Sequence, residues 1–346
     1  MKFDIHNLKQ TYVIAEMSGN HLGDIDMAKK IIYAAKDAGV DCVKIQTYTA
    51  DTLTIDCDNH YFQIVDGTWS GDNLYQLYKK AYTPWEWQAE LKELIESLGM
   101  DFLSTPFDNS AVDFLETLDV GFYKIASFEL VDIPLIRYVA SKGKPIILST
   151  GMASLQEIEE AINAIKMQGN HQICLLRCAS AYPAISESMN LKTMVDMKER
   201  FDVQVGLSDH SLGYTGAIAA VAMGAKVIEK HICLNRALEG PDASFSMEPQ
   251  EFSEMVQQIR LTEKAIGTVN YGVTKEEESN VIFRKSLFVV EDISIGERFT
   301  EKNVRSIRPG YGLASKFYDS VLGKRATCDI NRGTPLKEDM IDGGLF

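Results

Sequence analysis

Val205-Gly206-Leu207-Ser208-Asp209-His210 and Val227-Ile228-Glu229-Lys230-His231 each join a short apolar run to a polar end that carries a histidine. Residues 212–223 between them are rich in Ala, Gly and Ile, which predicts one helix that ends at Gly224. Strand, helix and strand in this order form a βαβ unit, whose crossover makes the two strands parallel neighbours. Both histidines therefore emerge at the same carboxyl edge of the sheet.

Two imidazoles that converge from adjacent strand ends are able to hold a divalent cation. Side chains alternate along a strand, so Glu229 and His231 share one face, as do Ser208 and His210. Histidine is the commonest metal ligand, and carboxylates beside it orient it or join it. The competing interpretation is two ordinary polar residues at the starts of loops, and the pair alone does not decide between them.

The same alternation of strand and helix repeats from the amino terminus onward and predicts a (β/α)8 TIM barrel. Eight strand–helix units are complete by about residue 265, which is the usual size of that α/β fold. The predicted strands are residues 11–15, 42–46, 102–107, 121–125, 145–148, 173–176, 205–210 and 227–231. A doubly wound open sheet is the alternative, but it does not require a polar end on all eight strands.

Polar side chains follow every predicted strand, and in a TIM barrel the active site lies at these carboxyl ends. They are Glu16, Lys44 with Gln46, Ser104 with Thr105, Lys124 with Ser127, Ser149 with Thr150, Arg177 with Ser180 and Tyr182, Ser208 with Asp209 and His210, and Glu229 with His231. We therefore expect all eight predicted strands to supply polar groups to a single opening at one end of the barrel, which we call the mouth. The long connection 47–83 is expected to be a functional loop at that mouth.

After Gly267 the pattern changes, so we predict three segments. Residues 1–267 form the barrel domain, 268–283 a polar and acidic linker, and 284–346 a small module of short alternating strands. A module of this size is expected to have little core of its own and to dock on something else.

Composition excludes several classes of function. A net charge of −14 argues against nucleic acid and acidic membranes as partners. No apolar run approaches the roughly 18 residues of a membrane span, and the amino terminus lacks the apolar region of a signal peptide. The six cysteines are scattered, which favours reduced thiols and a cytoplasmic protein.

Several motifs together resemble the sialic acid synthase family over nearly the whole chain. They are Glu16 with Asn20-His21, Lys44-Ile45-Gln46-Thr47, Ser104-Thr105-Pro106-Phe107, Lys124-Ile125-Ala126-Ser127, Ser149-Thr150-Gly151-Met152, Gly206–His210, Glu229-Lys230-His231 and Gly240-Pro241-Asp242. The tail, with Arg308-Pro309-Gly310, resembles the family's antifreeze-like (SAF) domain. Within the family, residues 46–52 and 77–87 are most similar to the pseudaminic acid branch. Leu22 and the segment 177–182 depart from the usual pattern.

The resemblance implies an enzyme that condenses phosphoenolpyruvate with an open-chain diacetamido-trideoxyhexose, adds water and releases phosphate. It implies Mn²⁺ or Mg²⁺ on His210 and His231, acting as a Lewis acid on the aldehyde, although two histidines alone suit softer ions equally well. Glu16 is the candidate for water activation, with a structural carboxylate as its alternative. Substrate-binding candidates are Lys44, Thr105, Phe107, Lys124, Ser127, Ser149, Ser180, Tyr182, Ser208, Asp242 and Arg308. The resemblance also implies a domain-swapped homodimer in which each tail, with Arg308, caps its partner's barrel.

Three other functions stay open from the sequence. The first is a synthase of the same family for N-acetylneuraminic or legionaminic acid. The second is a metal-dependent aldolase or phosphatase on the same barrel, which would not need the tail or so many hydroxyls around two lysines. The third is an inert barrel with an ice- or carbohydrate-binding tail, which the eight polar strand ends disfavour.

Overall fold

The barrel predicted from the sequence is present in the computed structural model, which describes residues 3–345. Residues up to Gly267 form one compact unit and those from Thr268 a second. The first unit contains eight strands: β1 Tyr12–Glu16, β2 Cys42–Thr47, β3 Asp101–Pro106, β4 Tyr123–Ile125, β5 Ile146–Ser149, β6 Ile173–Cys178, β7 Gln204–Asp209 and β8 Val227–His231.

All pairings in this sheet are parallel, and they follow the order β3-β2-β1-β8-β7-β6-β5-β4. Strands β3 and β4, at the two ends of that order, lie side by side and bring the barrel close to closure. The register pairs Glu16 with Lys44 on one side and with His231 on the other. Three polar side chains from three strands therefore share one level of the barrel interior.

Most helices of the first unit cover the outside of the barrel, and two short ones lie in the connection after β2. The helices are α1 Ile25–Ala38, α2 Ala50–Leu53, α3 Leu74–Ala81, α4 Trp85–Ser97, α5 Asn109–Thr117, α6 Ile133–Ala140, α7 Leu155–Lys166, α8 Lys192–Phe201, α9 Thr215–Ala222 and α10 Pro249–Ile266. Their ends follow the signals in the sequence: Ser154 and Glu157 form a capping box, and Gly39 ends α1 with a φ of 82°. None of the helices within residues 3–345 is long and apolar enough to cross a membrane.

One feature of the first unit differs from the expectation, and a second was not anticipated. The connection after β2 is not a plain loop, because it contains α2, α3 and a short 3-10 helix at His60–Phe62. The segment before β1 also has a structural role: Phe3 stacks on Phe122 with ring centroids 4.5 Å apart and, with Tyr12, fills the barrel interior far from the polar strand ends. This interior cluster continues through Ile14, Cys42, Leu103, Ile147, Cys174, Leu176 and Val227.

Gly206 permits the close approach of β7 and β8. A Cβ at this position would lie 2.1 Å from the Val227 carbonyl oxygen and 2.8 Å from Leu176 Cδ2. We predict that Gly206→Ala lowers the free energy of unfolding by about 3 kcal/mol, because strand backbone must move to make room. Gly121→Ala is the control, since its Cβ would meet nothing within 4 Å. Equal urea unfolding midpoints for the two variants would contradict this reason for the glycine.

The second unit contains a 3-10 helix at Lys275–Phe283, an antiparallel pair of strands, β9 Ser286–Val289 and β10 Val304–Ile307, and a short helix, α11 Tyr318–Val321. The expectation that it has little core is wrong. Ten hydrophobic side chains are buried together in this unit, among them Leu287, Phe299 and Leu336. The module therefore has its own packed interior despite its small size.

Candidate active site

The polar strand ends line one cavity of about 360 Å³ at the mouth of the barrel. Of the residues predicted from the sequence, it is lined by Glu16, Lys44, Phe107, Lys124, Ser127, Ser149, Tyr182, Ser208, His210, His231 and Asp242. Two other candidates lie beside these lining residues. Thr105 Oγ1 accepts a hydrogen bond from Lys44 Nζ at 3.4 Å, and Ser180 Oγ lies 3.6 Å from Cys178 Sγ. One barrel mouth thus gathers thirteen of the fourteen candidates.

Two buried lysines form the floor of the cavity. Lys124 Nζ donates to Ser149 Oγ at 2.7 Å, and Lys44 Nζ lies 2.6 Å from a Glu16 oxygen. Each ammonium is also 3.8 Å from an oxygen of Glu229. Burial tends to raise the pKa of Glu229, but the two lysines outweigh it and lower that pKa. Glu229 is therefore a carboxylate that holds two cations together at the centre of the site.

The two lysines differ in the direction of their pKa shifts. Burial lowers the pKa of Lys124. Burial has the same tendency at Lys44, but the neighbouring carboxylates of Glu16 and Glu229 outweigh it and raise the pKa of that ammonium. Lys44 is thus a permanent cation.

Glu16 is held between the lysine floor and the histidines. Its Oε1 accepts hydrogen bonds from Ser18 Oγ at 2.5 Å and from Gln46 Nε2 at 2.9 Å. Its neighbours in register are Lys44 and His231. The carboxylate is thus oriented by two donors while it faces the cavity, which is the placement a proton acceptor requires.

Hydroxyl groups surround the lysines on the side of β4 and β5. Ser127 Oγ accepts the backbone N–H of Gly151 at 3.0 Å, and a Cβ on Gly151 would lie only 2.0 Å from Ser180 Oγ. The glycine therefore lets two hydroxyls approach one another at the cavity wall. On the other side, Ser208 Oγ donates to Glu229 Oε1 at 2.9 Å.

His210 and His231 face each other with ring centroids 5.2 Å apart. His210 Nδ1 lies 3.2 Å from the Ala179 carbonyl oxygen and 3.7 Å from Cys178 Sγ. An Nδ1–H that donates to this carbonyl leaves Nε2 as the nitrogen that offers a lone pair. His231 Nδ1 is buried and has no hydrogen-bond partner within residues 3–345. An orphaned ring nitrogen beside an oriented imidazole fits a divalent cation. Within the same residues no third histidine, cysteine or carboxylate joins them in a possible metal cluster.

Protonation also suits His231 for this role. Burial, reinforced by the nearby His210, Lys44 and Lys124, holds its pKa well below the ordinary value, so the ring is neutral. At His210 burial acts in the same direction, but the hydrogen bond and negative charge of Cys178 outweigh it and raise that pKa. Burial raises the pKa of Cys178, yet His210 lowers it to about 7.

Aromatic and aliphatic side chains form one wall of the cavity, and the connection after β2 supplies most of them. Trp69 Nε1 donates to the Pro241 carbonyl at 2.8 Å, and its ring lies 5.3 Å from that of Tyr182. This connection therefore reaches across the mouth to the loops after β6 and β8. The wall consists of Tyr48, Leu53, Ile64, Trp69, Leu74, Leu77, Tyr78 and Phe107.

Two half-buried carboxyl groups lie at the edge of the cavity. Asp242 accepts the Gly19 N–H at 3.3 Å, and burial raises its pKa to about 6. Burial raises the pKa of Glu129 to about 7, and its Oε2 has no partner among the described residues. Sequence reasoning missed Glu129 because it follows the strand-end motif by two residues, inside a 3-10 turn at Phe128–Val131.

The raised pKa of Glu129 predicts a pH-dependent stability. Its folded-state pKa lies above the roughly 4.3 of an unfolded glutamate, so the folded protein binds the extra proton between these values. The stability that this proton contributes is lost as the pH rises towards and through 7. Glutamine stays neutral, so Glu129→Gln should melt close to the wild type at pH 5 and above it at pH 8. An equal difference in melting temperature at both pH values would contradict this prediction.

The structure corrects four of the predicted mouth residues. Ser104 Oγ donates to the Ile45 carbonyl oxygen at 3.2 Å and Thr150 Oγ1 donates to the Leu176 carbonyl oxygen at 3.0 Å, and neither residue lines the cavity. Arg177 faces away from the cavity, and its Nε and Nη2 donate to the carbonyl oxygens of Met189 and Ser188 at 2.8 and 3.1 Å. Asp209 also points outward, to Lys230. Both follow from the alternation of side chains, since their neighbours Cys178, Ser208 and His210 occupy the inner face. Arg308, the remaining candidate, is exposed in the second unit, and its binding role stays a prediction.

Comparisons with known proteins agree with this geometry. Residues 31–271 match the model of the NeuB family, and residues 284–342 match the SAF domain. The chain is 44% identical over 330 residues to the pseudaminic acid synthase of Campylobacter jejuni subsp. jejuni serotype O:23/36 (strain 81-176), a match that covers 95% of this chain and 96% of that relative. It is 39% identical over 335 residues to the N,N'-diacetyllegionaminic acid synthase of Campylobacter jejuni subsp. jejuni serotype O:2, covering 96% of this chain and all of the relative.

A solved structure is similar as well. The N-acetylneuraminic acid (sialic acid) synthetase from Leptospira borgpetersenii serovar Hardjo-bovis, in complex with citrate, superposes with a TM-score of 0.70 at 30% identity and covers 81% of this chain and 95% of its own. Because one family model spans most of the barrel and these similarities extend over nearly the whole length, the chain belongs to the NeuB family and carries a SAF domain after its barrel.

Proposed function

We propose that this protein is a pseudaminic acid synthase. It would condense phosphoenolpyruvate with 2,4-diacetamido-2,4,6-trideoxy-L-altrose and water to give pseudaminic acid and phosphate. The observation that carries the proposal is the pair of buried lysines beside the two histidines, in a chain 44% identical to a pseudaminic acid synthase.

Phosphoenolpyruvate carries a phosphate and a carboxylate on the same carbon, so its site needs cations and hydroxyl donors within one small volume. Lys44 and Lys124 provide the cations, both attached to the shared carboxylate of Glu229. The hydroxyls of Thr105, Ser127, Ser149 and Ser208 surround them and are suited to charge-assisted hydrogen bonds. This local charge captures an anion against the field of a chain with net charge −14.

Glu16 takes the proton of the attacking water in this proposal. The methylene carbon of phosphoenolpyruvate forms the new bond to the sugar aldehyde carbon with the electrons of its double bond. The aldehyde oxygen becomes an alkoxide, which ends with the proton that Glu16 takes from the water. Water then adds at the carbon that bears the phosphate, giving a tetrahedral intermediate from which phosphate leaves. Glu16 lies between Lys44 and His231, and so beside the anion site and the aldehyde site at once.

His210 and His231 would hold a divalent ion, Mn²⁺ or Mg²⁺. When bound, it would supply Lewis-acid polarisation of the aldehyde oxygen. The orphaned His231 Nδ1 and the oriented ring of His210 support this assignment. Only these two side chains would contribute, so water and substrate would complete the coordination.

The wall from the connection after β2 suits a sugar with few hydroxyls. Two acetamido groups and a 6-methyl group present three methyl groups, and the wall offers Leu74, Leu77 and the ring of Trp69. Asp242, Glu129 and Tyr182 would bind the remaining polar groups of the sugar. An N-acetylneuraminate or legionaminate synthase is the alternative within the family, and a metal-dependent aldolase is a more distant one.

A release assay for phosphate separates these functions. The protein is incubated with phosphoenolpyruvate and each of three sugars: the diacetamido-trideoxy altrose, its legionaminate-forming isomer and N-acetylmannosamine. The expected result is a kcat/KM for the altrose sugar that exceeds the others at least tenfold and falls on treatment with a chelator. Preference for either other sugar would replace the proposed product, and phosphate release without sugar would indicate a phosphatase.

We also propose a domain-swapped homodimer in which Arg308 of one chain completes the sugar site of its partner. Residues 284–346 contain eleven lysines and arginines against nine aspartates and glutamates, so this module has a net charge of +2 whereas the first 283 residues carry −16. The loops at the barrel mouth expose Phe128, Met152 and Leu212, each more than half accessible. Opposite charge and an exposed apolar rim both support capping by a second copy.

Subunit exchange tests this arrangement. Arg308→Ala chains and His231→Ala chains, each inactive alone, should regain part of the activity when mixed, because a mixed dimer contains one intact composite site. Mixed dimers confirmed by mass but without activity would contradict it.

The protein is expected to act in the cytoplasm, in agreement with six free cysteines among the described residues.

A further inference from the structure

A fully buried ion pair lies directly behind the two histidines. Asp209 Oδ2 and Lys230 Nζ are 2.8 Å apart, and both side chains are 0% exposed. They are partners in register on β7 and β8, on the outer face of the sheet. The next residue along each strand end is a histidine of the site, His210 or His231.

The pair is bonded to Ser211, the residue directly after His210. Asp209 Oδ1 accepts the N–H and the Oγ–H of Ser211 at 2.9 and 2.6 Å, and Lys230 Nζ donates to the Ser211 carbonyl oxygen at 2.6 Å. Asp209 thus forms a turn with Ser211 through hydrogen bonds within the segment 209–211, and Lys230 bonds this segment to the neighbouring strand. His210 lies in the middle of this segment.

Stability alone does not explain these two charges. Burying an ion pair costs desolvation energy that its attraction often fails to repay, and well-packed apolar side chains are frequently as stable. What an apolar pair cannot do is fix directions, since hydrogen bonds are directional and dispersion contacts are not. The four polar contacts therefore fix the position of His210 along β7 relative to that of His231 on β8.

We propose that Asp209 and Lys230 are positioning residues that hold His210 and His231 at the spacing required to bind a divalent cation. This rests on the metal site of the proposed function. Neither residue lines the cavity, so neither touches substrate, and the effect on the cation passes through the two histidines. Groups that hydrogen-bond directly to a metal ligand change metal affinity about ten- to hundredfold when replaced, and we expect the lower end of this range here, where the effect passes through the backbone.

The test compares metal binding with phosphoenolpyruvate binding in the full-length protein. The single variants Asp209→Asn and Lys230→Met each leave one unpaired buried charge and are prone to unfold. The double variant Asp209→Asn/Lys230→Met leaves none, so it carries the test. The control is Asp113→Asn/Lys142→Met, which removes an ion pair of 3.4 Å near the surface.

Free Mn²⁺ is measured by electron paramagnetic resonance during titration of chelator-treated protein, and phosphoenolpyruvate binding by calorimetry. We expect the double variant to bind Mn²⁺ at least tenfold more weakly and phosphoenolpyruvate within twofold of the wild type, with the control unchanged in both. Unchanged Mn²⁺ affinity would overturn the positioning role, as would an equal loss for both ligands. A wild type that binds no Mn²⁺ would overturn the metal site itself, and the positioning role with it.

Discussion

Replacing His231 by alanine is expected to abolish turnover while the barrel stays folded. The imidazole is neutral and its Nδ1 is buried with no hydrogen-bond partner among residues 3–345, so its removal breaks no hydrogen bond that this atom makes there. What is lost is a ligand of the proposed cation, whose Lewis-acid contribution is worth several kcal/mol. A loss of about 4 kcal/mol corresponds to about a thousandfold in kcat.

His171 provides the matched control, because it is an exposed histidine on the same barrel. His171→Ala should retain the wild-type kcat. The wild type, His231→Ala and His171→Ala should have similar melting temperatures. The measurement is phosphate release after chelator treatment and re-supply of Mn²⁺. Near-normal activity of His231→Ala under these conditions would rule out the metal assignment.

Lys124→Met is expected to weaken phosphoenolpyruvate binding far more than sugar binding. The ammonium is buried and donates to Ser149 Oγ and to the Ile125 carbonyl, so it is already oriented at the floor of the cavity. A charge-assisted contact to phosphate or carboxylate is worth roughly 1.5–3 kcal/mol. This range predicts a rise of about ten- to hundredfold in the Michaelis constant for phosphoenolpyruvate.

Loss of Lys124 also leaves Glu229 with one cation fewer. The double variant Lys124→Met/Glu229→Gln removes both charges, so it separates lost substrate binding from an unbalanced buried carboxylate. It should still bind phosphoenolpyruvate poorly, whereas the exposed Lys166→Met should behave as the wild type. An unchanged constant for phosphoenolpyruvate together with a raised one for sugar would reverse the assignment of the site.

The helical period and the alternation of side chains along strands account for most of the fold and site that could be predicted from the sequence. The helical pattern between the two histidine strands implied parallel neighbours, and the register pairs Ser208 with Glu229 on the inner face. The eight polar strand ends implied one mouth, because parallel strands bring their carboxyl ends together. The same alternation, applied residue by residue, would also have directed Arg177 and Asp209 outward.

Long-range packing could not be read from local sequence. The reach of Trp69 across the mouth to Pro241 joins residues 172 positions apart, and nothing in the residues around Trp69 indicates that partner. The protonation of Glu129 depends on burial, which arises only when its turn packs at the cavity edge. The core of the second unit is likewise assembled from many short segments without a clear period.

The proposed reaction forms a bond between the methylene carbon of phosphoenolpyruvate, C3, and the aldehyde carbon of the sugar. Carbon-13 NMR of a reaction with [3-¹³C]phosphoenolpyruvate and the diacetamido-trideoxy altrose tests it most directly. We predict that the label appears in the methylene group next to the new anomeric carbon of a nonulosonic acid, with one phosphate released for each labelled product. Label in the methyl group of free pyruvate, with the sugar unchanged, would contradict the proposed function.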